Sequence, residues 1–268
     1  MNSKRRNSAQ RYAVWLARHH TPEMDQRAAA VPLRRNMITV LEYARDHNVV
    51  GTQSTGNMPL KHIREVTSHF VDPPVLDTTI GDRTYRLRTE FDVWPLHFLH
   101  ILADVGGLLD IDRGQRWRLT QRGTHFLQKD PLLQLSYLLT VWWYQTNWLV
   151  AYPVGGLGET LPRDFRVITL AHLREQPVGE FMPFEPFADD LIEKTGLTWT
   201  AQNMSAAQML LHSAVQRIVI DVSATFGIVE KKMRDEPLGK GTIKKLVAFK
   251  ITPLGHSLLE SVAVMLEA

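Results

Sequence analysis

Phe249-Lys-Ile-Thr-Pro-Leu-Gly-His-Ser-Leu-Leu259 repeats the wording of an earlier stretch, Trp117-Arg-Leu-Thr-Gln-Arg-Gly-Thr-His-Phe-Leu127. Both run aromatic, basic, aliphatic, Thr, two residues, Gly, and then the start of an apolar helix. Apolar residues alternating with a basic one have the period of a half-buried strand. Thr suits the end of that strand, because its hydroxyl accepts a bond from a free N–H in the first turn of a helix. Gly three residues later lets a second backbone approach closely. One such phrase marks one strand-to-helix junction. Two, in one chain, predict a duplicated unit.

The surroundings of the first phrase supply the rest of that unit. Residues 36–47 place Met37, Val40, Leu41 and Ala44 at helical spacing. Val49-Val50 begins a short strand, and Ser54-Thr55-Gly56-Asn57 is a turn. Pro59 opens a second helix that reaches about Phe70, with Leu60, Ile63, Val66 and Phe70 on one face, and Asp72-Pro-Pro74 stops it. After the alternating Tyr85-Arg-Leu-Arg88, Asp92 is expected to cap a third helix over residues 93–105, which Gly106-Gly107 ends. Residues 108–111 and 117–119 form a β-hairpin about Asp112-Arg-Gly-Gln115, and Thr120 caps a fourth helix.

The second half follows the same order. Helices are expected over 163–175, over 187–195 up to Gly196, and over 203–225, with a strand over 178–182. Met209, Leu210, Ala214, Val215 and Ile218 are apolar positions of the long helix. Gly227-Ile-Val229 and residues 246–251 flank a hairpin, and Thr252-Pro253 opens the closing helix. Arg45-Asp-His-Asn-Val-Val-Gly51 and Arg174-Glu-Gln-Pro-Val-Gly179 match at the first junction. The expected fold class is mainly α with small β-hairpins (α+β). A repeat at this scale is a duplicated domain. Four segments follow: a basic N-terminal arm (1–35), a first domain (36–130), an aromatic helical linker (131–162) packed between the domains, and a second domain (163–268).

This order resembles the winged-helix variant of the helix-turn-helix. Leu102-Ala-Asp-Val-Gly-Gly-Leu-Leu109 with Leu119-Thr-Gln-Arg-Gly123 carries the resemblance in the first copy. Val222-Ser-Ala-Thr-Phe-Gly-Ile-Val229 with Ile251-Thr-Pro-Leu-Gly255 carries it in the second. It covers about residues 36–129 and 163–268. Thr55-Gly-Asn-Met-Pro-Leu60 and Leu96-His-Phe-Leu99 are also similar to bacterial proteins of plasmid and mobile-element neighbourhoods, a resemblance that brings no activity with it. In winged helices the third helix usually enters the major groove and the hairpin wing touches backbone or minor groove. Residues 96–102 (Leu-His-Phe-Leu-His-Ile-Leu), followed by Asp104 without Lys or Arg, suit packing better than phosphate. The first wing still carries Arg113, Arg116 and Arg118. About twenty residues separate the second and third helices there, where a compact reader has a tight turn. The second copy is better placed. Its wing holds Lys231, Lys232, Arg234, Lys240, Lys244, Lys245 and Lys250 against Asp235 and Glu236 between the strand ends. Gln216 and Arg217 on the preceding helix are candidates for base edges. A hairpin whose lysines merely prevent edge pairing is the plainer alternative.

Composition fits an ordinary globular chain of 268 residues, 44% hydrophobic and 22% charged, with net charge +3. The charge is uneven. Lys4, Arg5, Arg6, Arg11, Arg18, Arg27, Arg34 and Arg35 face only Glu23 and Asp25 in the first 35 residues, as in an arm that meets nucleic acid or in a solvated tail. Residues 131–158 lack charge, but Gln145-Thr-Asn147 interrupts them, which favours a buried helix over a membrane span. Residues 1–35 hold no apolar signal-peptide core, so a cytoplasmic location is expected. The absence of cysteine excludes disulfides, thiolate metal sites and a cysteine nucleophile.

Enzyme readings find little. Among eleven histidines, His19-His20 and His97-x-x-His100 are the close pairs. Without an evident third ligand, the second pair reads as partly exposed helix histidines. Asp189, Asp190 and Glu193 read as a solvated face. Gly155-Gly-Leu-Gly158 lacks the pattern of a phosphate loop, and no Gly-x-Ser-x-Gly occurs. No catalytic residue, cofactor or metal is expected. The sequence therefore predicts a non-catalytic nucleic-acid-binding protein, with duplex DNA as partner, in a transcriptional or mobile-element regulatory role. The alternative is a protein-interaction or scaffold module built on winged helices, whose signature would be surface tryptophans. Homodimerisation through the aromatic helix is left open.

Overall fold

The computed structural model describes residues 2–80, 82–151, 161–199, 203–239 and 241–266. In chain order the elements are α1 (Asn2–His19), α2 (Pro22–Ala30), α3 (Pro32–Asp46), α4 (Leu60–Ser68), β1 (Thr78–Ile80), β2 (Arg83–Tyr85), α5 (Trp94–Val105), β3 (Leu109–Ile111), β4 (Trp117–Leu119), α6 (Gln121–Leu127), α7 (Pro131–Thr140) and α8 (Trp148–Ala151). They continue with α9 (Phe165–Arg174), β5 (Met182–Pro183), α10 (Phe184–Thr195), α11 (Met204–Val215), α12 (Val222–Thr225), β6 (Val229–Leu238), β7 (Gly241–Ile251) and α13 (Pro253–Leu266). The fold is mainly helical, with small antiparallel sheets ordered β1-β2, β3-β4 and β5-β7-β6.

Two compact units contain these elements. Named for their place in the sequence, the inner unit is residues 25–146 and the outer unit is 1–24 with 147–268. In the inner unit, Met37, Val40 and Leu41 of α3, Ile63 and Val66 of α4, and Leu96, Phe98, Leu99 and Leu102 of α5 are buried together with Trp142. Phe98 meets Trp142 edge to face at 5.2 Å. In the outer unit, Phe165, Leu173, Phe187, Leu191, Phe226, Phe249, Leu258 and Leu259 are buried. There Phe187 packs edge-on against Phe249 at 4.8 Å.

The repeated phrase builds the same junction twice. In the inner unit Thr120 Oγ1 donates to Gly107 O (2.7 Å) and accepts from Gly123 N–H (2.9 Å), while Thr120 N–H donates to Leu108 O (3.0 Å). In the outer unit Thr252 Oγ1 donates to Gly227 O (2.7 Å) and accepts from Gly255 N–H (2.8 Å), while Thr252 N–H donates to Ile228 O (2.9 Å). Gly107 and Gly227 both take a positive φ, +63° and +73°, so both third helices end in a left-handed step. The preceding chain joins each hairpin through one isolated bridge, Val50 with Arg116 and Val178 with Ile251, although the first is antiparallel and the second parallel.

Several expectations need correction. The basic arm 1–35 is built into helices. Trp15 is buried, and its Nε1–H donates to Ser257 O on α13 at 2.9 Å, so an apolar anchor among the arginines fixes α1 to the outer unit. Ala28, Val31 and Leu33 are buried likewise, and Arg34 spends its Nε–H on Gln134 (2.6 Å). The segment 131–162 is not one linking helix. α7 runs into a π turn (Val141–Gln145) of the inner unit, and Trp148 on α8 packs against Phe165 in the outer unit. Asp92 does not cap α5. It closes a capping box with Thr89 around a short 3-10 turn (Glu90–Asp92), and α5 starts at Trp94. The strand over 178–182 shortens to β5, and the β1-β2 hairpin has no counterpart in the sequence reading. The long third helix of the outer unit does form, from the Asn203 cap, with a π turn (Gln216–Asp221) between α11 and α12. Among the described residues no helix is long and apolar enough to cross a membrane.

Candidate nucleic-acid interface

The β6-β7 hairpin pairs from Val229 opposite Ile251 out to Leu238 opposite Gly241, with a bulge between Lys232 and Met233. The bulge divides it. Below it, Val229, Phe249 and Ile251 are buried in the outer unit, and Leu246, opposite Met233 just above it, is buried too. Above it, Arg234, Asp235, Pro237, Thr242, Ile243 and Lys244 are exposed. Alternation anchors the base, and polar residues on both faces leave the far half in water.

The expected basic residues differ in how free they are. Lys231 is held at 2.7 Å by Asp221, and Lys250 at 2.9 Å by Glu230. Lys250 and Lys232 both lie over the Phe181 ring, at 4.8 and 5.8 Å. Arg234 bonds Glu236 two residues away on its own strand. Lys245 reaches Glu185 of α10 at 2.9 Å and Glu236 at 3.9 Å. The hydrogen bond that Lys245 donates to Glu185 and the charges of both carboxylates hold the Lys245 pKa above its usual value. Lys244 stands opposite Asp235 in register and is exposed, and among the described residues it makes no ion pair. Lys240 lies outside the described residues. The same holds for Gly155-Gly-Leu-Gly158.

On the preceding helix, Arg217 is exposed and Gln216 half-buried within the π turn. Gln208 and His212 of α11 are both committed to Asp189 of α10, at 3.1 and 2.7 Å. These bonds hold the Asp189 carboxyl below the usual carboxylate range. In the inner unit Arg113 and Arg116 are exposed at the tip of β3-β4, and Arg118 is tied to Asp112 at 3.0 Å. Asp112 also accepts the N–H of Arg116 and of Gly114, so this short wing is a closed, hydrogen-bonded turn. Leu96, His97, Phe98, Leu99, His100, Leu102 and Ala103 of α5 are buried, which leaves this helix little surface to offer a groove.

Sequence reasoning missed one cluster. His97 and His100 are buried, not partly exposed, and Glu90 is their third member. Its Oε1 accepts from Nδ1 of His100 at 2.7 Å and lies 3.2 Å from Nδ1 of His97, while its Oε2 accepts the Met58 N–H at 2.6 Å. Burial works to raise the Glu90 pKa, but the bonds from His100, His97 and Met58 outweigh it and hold the carboxyl at about 2. Among the described residues this is the group whose donor atoms converge closely enough for a metal ion. The signal available in sequence was Glu90 in the turn just ahead of a helix bearing histidines at i and i+3.

Comparison of the chain with protein-family models, with curated proteins and with solved structures finds no match.

Proposed function

We propose that the protein is a non-catalytic DNA-binding protein of two winged-helix units, in which the outer unit's β6-β7 hairpin tracks the phosphate backbone. The fold part is supported by the order of three helices, hairpin and closing helix in each unit, with the same Thr-Gly junction. The binding part is carried by one observation: Arg234, Thr242 and Lys244 in the far half of β6-β7 are exposed, and Lys244 makes no ion pair among the described residues; Lys232 and Arg217 are exposed as well. The ion pairs of Arg234 and Lys245 do not remove these cations from use. Exposed pairs are worth about 0–1 kcal/mol each, so a phosphate can displace the carboxylate. Of the two candidates for base edges, Gln216 is half-buried within the π turn and only Arg217 is exposed, so binding is directed at backbone more than at base edges.

Fluorescence anisotropy with a labelled random duplex across a salt series tests this. Binding at micromolar or tighter affinity in low salt is expected to weaken steeply as salt rises. Lys244→Gln should reduce the slope of log K against log salt by about 0.9, the share of one phosphate. Lys245→Gln should reduce it less, because a phosphate at Lys245 must first displace Glu185. A slope unchanged by both substitutions would remove the hairpin from the interface.

A second reading, docking of a protein, is favoured by Met204 and Met209 on α11, which are 89% and 67% exposed. Its expected signature in surface tryptophans is not there: Trp15, Trp117, Trp142, Trp143 and Trp148 are buried, and Trp94 and Trp199 half-buried. Absence of DNA binding at low salt would make α11 the surface to probe with a partner.

A further inference from the structure

We propose that Glu90, His97 and His100 form a site for one divalent first-row transition cation, with Zn2+ as the reference ion. One donor atom from each of the three residues lies within 4.8 Å of the other two, and Glu90 Oε1 stands 2.7 Å from Nδ1 of His100 and 3.2 Å from Nδ1 of His97. The donors are preorganised by separate parts of the inner unit. The Thr89–Asp92 capping box fixes the turn that carries Glu90, and the Met58 N–H holds its other oxygen. His97 and His100 project from one face of α5. The His97 ring packs on Phe91 and the His100 ring on Trp117, each at 4.2 Å between centroids. Trp117 is itself fixed by its Nε1–H bond to Gly56 O at 2.8 Å. Rings held from behind, with nitrogens converging on a fixed carboxylate, are what a metal shell requires.

Charge points the same way. Glu90 is 1% exposed, and its hydrogen-bond partners are two imidazoles and one peptide N–H, with no Lys or Arg among them. The ionised carboxylate is thus an anionic donor with no cationic side chain of its own beside it. A divalent cation matches that charge and takes the imidazoles as neutral ligands. Two nitrogens and one carboxylate oxygen suit Zn2+ and its first-row neighbours, whereas Ca2+ and Mg2+ take shells of oxygen. Around a tetrahedral ion with bonds of about 2.0–2.2 Å, donor atoms stand about 3.4 Å apart. The contacts of 2.7 and 3.2 Å therefore need to open by less than about 1 Å. The two histidine side chains keep 10% and 9% of their surface exposed, which gives an ion access and leaves water as the fourth ligand. The site is independent of DNA binding, so neither proposal stands or falls with the other.

The test uses the full chain, stripped with chelator and desalted, and titrated with Zn2+ by calorimetry and with Co2+ by visible absorption. One equivalent at micromolar or tighter affinity is expected, with Co2+ bands of a low-coordinate nitrogen–oxygen site. Zn2+ should raise the thermal midpoint by several degrees, and excess chelator should reverse the rise. Glu90→Gln keeps an oxygen for the Met58 N–H, and is expected to weaken Zn2+ binding more than about 100-fold, as is the double variant His97→Gln/His100→Gln. His212→Ala, beside the exposed Asp189, should leave it unchanged. Affinity retained in Glu90→Gln, or binding weaker than about 100 µM in the parent chain, overturns the site and leaves a proton-bridged cluster. Should the variants fail to fold, histidine 15N shifts of the parent chain decide: Nδ1 shifts at His97 and His100 on adding Zn2+ are required, and their absence overturns the proposal.

Discussion

Gly255→Ala is expected to destabilise the outer unit by about 3 kcal/mol or more, measured as the loss in urea-unfolding free energy followed by tryptophan fluorescence. A Cβ at this position would lie 2.1 Å from the Ile228 carbonyl oxygen and 2.6 Å from its Cα. Both are backbone atoms, so no side chain can swing aside. The alternative is for α13 to withdraw, and α13 is held by the Thr252 N–H bond to that same carbonyl, by Thr252 Oγ1 on Gly227 O, and by Trp15 on Ser257 O. Gly123→Ala should do the same to the inner unit, where the added carbon would meet Leu108 O at 2.3 Å and Leu119 Cδ1 at 2.6 Å. Gly196→Ala is the control. It has a positive φ of +65° but nothing within 4 Å, so only the left-handed backbone is penalised, at about 1–2 kcal/mol. A Gly255→Ala effect no larger than that of Gly196→Ala would mean that the junction is looser than its contacts imply.

Those glycines explain why much of the fold was legible. A backbone packed against backbone can tolerate only Gly, and a hydroxyl must stand three residues before it to serve the exposed N–H, so the junction writes itself into the sequence twice. Strong helical periodicity located α3, α4, α9 and α10 for the same reason: the spacing of apolar residues is the packing. Other features left weaker traces. The arginines of residues 1–35 outweigh Trp15, Ala28, Val31 and Leu33, although those four hold the segment in place. The π turns at Val141–Gln145 and Gln216–Asp221 change the helical phase without a proline or glycine to announce them. At the candidate interface, the sequence located the lysines but not their partners. Glu185 and Asp221 come from other elements, and only tertiary structure brings them to Lys245 and Lys231. Glu90 was invisible for a related reason. Its seven-residue lead over His97 is closed by a 3-10 turn and a capping box, which apolar spacing does not encode.

Glu90→Ala, in chelator-treated protein, is expected to cost the inner unit about 3–5 kcal/mol, the range for removing one partner of a buried charged cluster. The carboxylate joins four parts of that unit: the loop ending at Met58, the 3-10 turn it belongs to, α5 through both histidines, and β4 through the tilted ring contact of His100 with Trp117. Alanine leaves the Met58 N–H and two imidazole nitrogens without their acceptor and adds a cavity around them. The same group sets an acid limit. Its folded pKa, held at about 2, lies below the ordinary value of 4.5, so the unfolded chain takes up the proton first as pH falls. The stabilisation is therefore complete above pH 4.5 and is lost between 4.5 and about 2, amounting to about 3 kcal/mol across that window. Glu90→Gln cannot titrate, and the difference in stability between it and the parent chain should shrink as pH falls through this window. Urea unfolding at pH 7, 4 and 3 measures that difference directly. A gap that stays constant with pH would show that Glu90 acts by shape and hydrogen bonding alone, and that its charge is not what the two histidines were placed to receive.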